Sequence, residues 1–204
     1  MTRTDEIKEL LISNAIHLIA EGGFEMATTK ELTHRGGGLP GFKMNEVYIY
    51  RIFGSKETLY AAAFQRLNDE LYYAFLGGVN DVGPFEGDVK EKLYTFFLKS
   101  WSFILGNEES CRCYVRYYYS IYMKGASLDS YNEHFERIIA EFRHLFTEDA
   151  DVSAIMHSVF NALFNFAIRV HNGDLEDSEI NRPHIFNVLY CMMAAYFKDS
   201  VKAS

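Results

Sequence analysis

Asn45-Glu46-Val47-Tyr48-Ile49-Tyr50-Arg51-Ile52-Phe53-Gly54-Ser55-Lys56-Glu57-Thr58-Leu59-Tyr60 is the stretch from which the fold of this chain is read. Asn45 is a side chain suited to cap a helix N-terminus, and Glu46, as first helical residue, suits the positive end of the helix dipole. Val47, Tyr50 and Phe53 recur at steps of three, which predicts one short helix with a single apolar face. Gly54 can take the left-handed conformation that ends such a helix, and Ser55 can cap the next. The pattern is short helix, glycine turn, longer helix.

Around this stretch the chain of 204 residues is 49% hydrophobic with three prolines, which fits a packed helical protein. A chain of this size buries roughly 70% of its unfolded surface. No apolar run approaches the roughly 20 residues that span a membrane. Arg3 and Lys8 near the N-terminus are interrupted by Asp5, Glu6 and Glu9, so no signal peptide is expected. Cys111, Cys113 and Cys191 form no disulfide framework and fit a reduced cytosol, so a cytoplasmic protein is expected. The net charge of −8 does not suit a generic nucleic-acid coat, which would be basic. Charge is uneven, however: up to Tyr60 there are 7 Lys+Arg against 8 Asp+Glu, and 13 against 20 beyond it.

Working outward, Ile7, Leu10, Leu11, Ala15, Leu18 and Ile19 share one helical face, with Glu6, Glu9 and Asn14 elsewhere. Gly22-Gly23 stops this first helix, and Phe24 is placed to fold back on it. Thr28 and Glu31 have capping-box spacing and open a second short helix. After Ser55 a helix is expected to about Leu76, with Gly77-Gly78 through Pro84 as punctuation. Further helices are expected over 89–105, 108–124 and 128–146, then from Asp151 to about His171, and one introduced by Pro183. There is no strand-like alternation, repeat or low-complexity segment, so the fold class is all-α.

Tyr50-Arg51-Ile52-Phe53-Gly54-Ser55-Lys56-Glu57-Thr58-Leu59 closely resembles the Tyr-x-x-Phe-x-Ser-Lys-Glu-x-Leu signature of TetR-type transcriptional regulators. Ala15, Gly23, Phe24, Thr28 and Leu32 also fall at places matching that family. Between Leu32 and Tyr50 the chain is about six residues longer than the family spacing, an insertion that loop-closure entropy tolerates. The excess lies in Gly36-Gly37-Gly38-Leu39-Pro40-Gly41-Phe42, where the helix-turn-helix has a tight turn. The resemblance implies a three-helix helix-turn-helix DNA-binding domain over 1–54 and a helical effector-binding and dimerisation domain over 55–204.

It also implies site residues. Thr28, Tyr50 and Lys56 take phosphate-contact roles, with Lys56 reaching DNA from a helix N-terminus. Asn45, Glu46 and Tyr48 stand where the family touches base edges; Glu46 departs from a position often basic or polar, and could accept from cytosine. Phe97, Trp101, Tyr114, Tyr118, His157, Asn161 and Phe164 are candidate lining of an effector cavity between the central helices. Partners expected are a DNA operator, a small organic effector and a second copy. The last two helices are expected to pair across that dimer, offering Phe160, Leu163, Leu189, Met193 and Tyr196.

His157 suits a satisfied core or surface histidine, and the tyrosines from Tyr114 to Tyr122 suit core or interface. Cys111 and Cys113, two apart on a helix, do not face each other, so no metal site and no cofactor are expected. Neither Gly-x-Ser-x-Gly, His-Glu-x-x-His nor a P-loop is present, so no catalytic residue and no enzyme are expected. A DNA-binding repressor released by an effector is the leading reading. The alternative is a helical sensor or protein-interaction module that no longer reads DNA, which the long insertion and Glu46 favour.

Overall fold

The computed structural model describes residues 2–34 and 44–202. The Gly36–Phe42 stretch, which holds the excess residues between Leu32 and Tyr50, lies outside the described residues. Among the described residues the fold is all-α: α1 (Arg3–Gly22), α2 (Thr29–His34), α3 (Val47–Phe53), α4 (Lys56–Val82), α5 (Val89–Gly106), α6 (Glu108–Tyr118), α7 (Ala126–Phe142), α8 (Val152–His171), α9 (Asn181–Ala194) and α10 (Asp199–Lys202). A 3-10 turn at Arg143–Leu145 follows α7. One isolated bridge joins Phe146 to Phe197.

Packing divides the chain into two compact units, residues 1–69 with 109–131, and residues 70–108 with 132–204. In the first, Thr2 and Asp5 close a capping box on α1, and Gly23, at φ +83, ends it. α1 buries Ile7, Leu11, Ala15, Leu18 and Ile19 as its spacing requires. Asn14 was expected off that face but is buried, because its Nδ2 donates to the Leu32 carbonyl at 2.8 Å. This bond satisfies a carbonyl near the end of α2 and ties α2 to α1. Phe24 meets the rings of Tyr60 and Tyr122, with centroids 5.2 and 4.6 Å away. Phe64 stacks on Tyr114 and Tyr117 of α6 at 5.3 and 4.4 Å. Those two tyrosines are therefore core; the Tyr117 hydroxyl also lies 2.9 Å from Ser127 Oγ.

Two boundaries differ from the sequence reading. α4 does not stop at Leu76 but runs through Gly77-Gly78 to Val82, and Gly83, at φ +71, follows it. A Cβ on Gly78 would stand 3.3 Å from the Phe96 ring, so this glycine serves close packing rather than a turn. α6 ends at Tyr118, short of Lys124; Tyr119 and Ile121 then stand 69% and 80% exposed in the turn before α7.

The second unit is built on α5, α8 and α9, which pack on one another. Asp88 caps α5 by accepting from the Glu91 N–H, and Asp151 caps α8 through the Ala154 N–H. Pro183 sits in the first turn of α9, where its missing N–H costs no helical bond. Trp101, 2% exposed, donates from Nε1 to Asp177 Oδ1 at 2.9 Å. Asp177 lies on the connection between α8 and α9 and also accepts twice from Arg182. No helix among the described residues is long and apolar enough to cross a membrane.

Candidate nucleic-acid interface and helical cavity

The first candidate site is built from the N-terminal ends of α2, α3 and α4. Thr28 stands just before α2, and its Oγ1 accepts from the Glu31 N–H at 3.2 Å. The Thr28 N–H goes to Met26, so only one arm of a capping box forms. At α3 the cap position belongs to Glu46, not Asn45. Asn45 acts one residue earlier, its Oδ1 accepting from the Val47 N–H at 3.1 Å in an Asx-type turn. Glu46 was read as a first helical residue facing DNA. It is the cap residue and stays exposed, and its carboxylate accepts from Thr29 Oγ1 at 2.5 Å, joining the start of α3 to the start of α2.

The expected apolar face of α3 is also different. Ile49 is fully buried, while Val47 and Tyr50 are 65% and 55% exposed. Ile49, Ile52 and Phe53 share a helical stripe, and the first is buried and the others half-buried. Val47 and Tyr50 therefore lie outward with Arg51, and Tyr48 is half-buried. Gly54, at φ +79, ends the helix by donating to the Tyr50 carbonyl. Ser55 then caps α4, accepting from the Thr58 N–H at 3.1 Å.

Tyr60 joins these pieces, and sequence reasoning assigned it no site role. Its ring is fully buried and its hydroxyl donates to the Ala27 carbonyl at 2.5 Å. Burial raises its pKa above the ordinary phenol value, so it remains a donor at neutral pH. Lys56 Nζ lies over the same ring, 5.6 Å from its centroid. Tyr60 thus forms a corner with Lys56 over its ring and Ala27, the residue before Thr28, at its hydroxyl. This corner presents a hydroxyl, an ammonium group and a helix N-terminus, groups that bind phosphate oxygens.

The second candidate site is a cavity of about 50 Å³ in the second unit. Six phenylalanines, Phe75, Phe96, Phe97, Phe142, Phe160 and Phe186, form much of its wall. Its single polar side chain is Ser100, 3% exposed, whose Oγ has no hydrogen-bond partner among the described residues. A buried hydroxyl left so costs about 1–3 kcal/mol. Of the residues expected to line an effector cavity, Phe97 is on this wall. Trp101 instead points its indole N–H at Asp177. Tyr114 and Tyr118 belong to the first unit, where Tyr118 lies 5.1 Å from the Tyr131 ring. His157 stacks on Phe135 at 3.9 Å, and burial lowers its pKa below the usual imidazole value. Asn161 is exposed and Phe164 half-buried on α8. Ser100 was legible: it falls three and four residues after Phe97 and Phe96, on the apolar face of α5.

No cluster of three or more metal-ligating side chains occurs among the described residues. Cys111 and Cys113 are buried, and burial pushes the Cys113 thiol up to about 12, which keeps it protonated and unreactive.

No family model matches the sequence, and no curated protein matches it either. Solved structures do match. A TetR family transcription regulator from Marinobacter aquaeolei VT8 superposes with a TM-score of 0.74 at 15% identity, covering 93% of this chain and 96% of that one. The chain has the TetR fold. A TetR-like transcriptional regulator from Rhodococcus sp. RHA1 gives a TM-score of 0.62 at 16% identity, over 91% of this chain and 92% of that chain. SmeT, the repressor of the Stenotrophomonas maltophilia multidrug efflux pump SmeDEF, gives 0.60 at 18% identity, over 95% of this chain and 92% of its own. The TetR-like order places α3 as the helix that follows α1 and α2 in the helix-turn-helix, with α4 leaving it at the Gly54 turn.

Proposed function

We propose that this chain is a TetR-like DNA-binding transcriptional regulator, a repressor released from its operator by a small organic effector. The observation that carries the reading is the corner at the starts of α2, α3 and α4. Ile49 anchors α3 from beneath, which leaves Val47 and Tyr50 exposed, while Tyr60 bonds the Ala27 carbonyl, just before Thr28, and has Lys56 over its ring. In this reading residues 1–54 bind DNA and residues 55–204 sense effector and dimerise. Thr28, Tyr50 and Lys56 contact phosphates, which fixes register without reading sequence. Asn45 and Tyr48 reach base edges; because Asn45 Oδ1 is engaged, its amide N–H groups offer the contact. Glu46 acts by holding α3 against α2 through Thr29.

Lys56→Ala should weaken operator binding across all sequences and lower the salt slope by about one unit, since it deletes one phosphate contact. Binding titrations on one operator between low and moderate salt check this. An unchanged slope removes Lys56 from the interface.

The reading includes a homodimer through α8 and α9, in a cytoplasmic protein. The residues expected to supply that face, Phe160, Leu163, Leu189 and Met193, are buried within one chain and line its cavity. The surface of α9 instead turns Val188 and Cys191 outward at helical spacing, and Ala195 and Tyr196 are exposed just beyond it. Such an apolar stripe suits a two-fold contact. Light scattering should give twice the chain mass, and Val188→Glu should shift the protein to monomer. Dimerisation lets two copies of α3 meet successive major grooves about 34 Å apart. An effector releases DNA only if it binds the two conformations unequally.

A further inference from the structure

The hydroxyl of Ser100 has no partner among the described residues, although helical serines and threonines have one close at hand: the carbonyl one turn back. Thr95 on α5 donates to the Glu91 carbonyl at 3.1 Å, and Ser158 on α8 donates to the Ala154 carbonyl at 3.0 Å. Ser100 makes no such bond and stands on the wall of the phenylalanine cavity instead. A buried water would serve it poorly, because a water needs two to four polar partners and the wall supplies no second polar side chain. No charged side chain among the described residues lines the cavity either, so a carboxylate or ammonium group would enter uncompensated.

We propose that this cavity takes an uncharged, largely hydrocarbon molecule carrying one oxygen acceptor, such as a ketone or ester, with Ser100 Oγ donating to that oxygen. The phenylalanine rings supply apolar contact and the hydroxyl fixes orientation. At about 50 Å³ the cavity is smaller than the roughly 150 Å³ that admits benzene, so a ring-sized guest must displace part of the wall. Met156 and Met193, unbranched and with several rotatable bonds, are the wall residues able to yield. The proposal rests on reading this unit as the effector-sensing part of the chain, and names the chemistry of what it senses.

The test uses cyclohexanone and methylenecyclohexane, which share a shape but differ in a carbonyl oxygen against a methylene. Both are titrated calorimetrically into the full chain and into Ser100→Ala. The variant should bind cyclohexanone about fivefold more weakly, the worth of one hydrogen bond, and methylenecyclohexane within twofold of the parent. Without ligand, Ser100→Ala should raise Tm by about 3 °C, because it removes a buried hydroxyl that has no partner. Met193→Phe, which fills the cavity, should abolish binding of both. Binding of neither compound, or an equal loss of both in Ser100→Ala, overturns the proposal. Cyclohexanone binding through Ser100 with no change in operator affinity would uphold the site and refute the effector reading.

Discussion

Ile49→Ala should destabilise the N-terminal unit by about 3 kcal/mol, within the range for emptying a buried isoleucine site. α3 has seven residues, too few for a helix to persist in water on its own. Its helicity therefore depends on packing, and Ile49 is its one fully buried side chain, on a helix that packs against α1. Val47→Ala, two residues earlier and 65% exposed, should change stability by no more than about 0.5 kcal/mol. Urea unfolding of both variants compares the two faces directly. Equal losses would mean that α3 is not seated on Ile49.

Asp177→Ala should cost about 2 kcal/mol, chiefly because the Trp101 indole N–H loses its acceptor inside the core. The Arg182 pair contributes little to that figure, since the two side chains are 37% and 24% exposed and solvent screens them. The same carboxylate gives an acid signature. Hydrogen bonds from Arg182, and then from Trp101, hold the Asp177 pKa below the ordinary carboxylate value. A depressed folded pKa means that the stabilisation is complete above the unfolded value of about 3.9 and is lost as pH falls through the folded one. Asp177→Asn keeps an oxygen for Trp101 but cannot titrate, so its Tm should fall less than the parent's between pH 5 and pH 2.5. Parallel pH profiles would show that Asp177 is not the group responsible.

Fold class was legible in the sequence because long apolar periods and capping residues agree over most of the chain. Asp88 and Asp151 cap as their types suggest, and Gly23, Gly54 and Gly83 take positive φ where helices end. Short elements were less legible. In α3 the stripes Val47–Tyr50–Phe53 and Ile49–Ile52–Phe53 are both helical, and only packing against α1 selects the second. Gly77-Gly78 looked like a break because glycine favours turns, yet α4 continues through it, with the Phe96 ring 3.3 Å from where a Cβ on Gly78 would stand. Asn14 looked like surface because its polarity hid a partner eighteen residues away.

The candidate sites divide in the same way. The Tyr50–Leu59 signature covers the Gly54 turn and the start of α4 in the corner proposed to meet DNA, but Tyr60, whose hydroxyl bonds the Ala27 carbonyl, was visible there only as an apolar helix residue. Of the seven residues that the resemblance offers as effector lining, Phe97 alone stands on the wall of the phenylalanine cavity, because the resemblance gives helix order and not which face of each helix turns to a cavity. The hydroxyl on that wall was the more informative residue.

Selection of bound fragments from random duplex DNA, using the full chain at fixed salt, tests the central claim most directly. The account predicts enrichment of one near-palindromic site whose half-sites lie about one helical turn, or a multiple, apart. Asn45→Ala should alter base preference within that site, whereas Lys56→Ala should leave preference intact and lower affinity uniformly. A pool that enriches no sequence, at a protein concentration where the chain is dimeric, contradicts the account and leaves a helical sensor that does not read DNA.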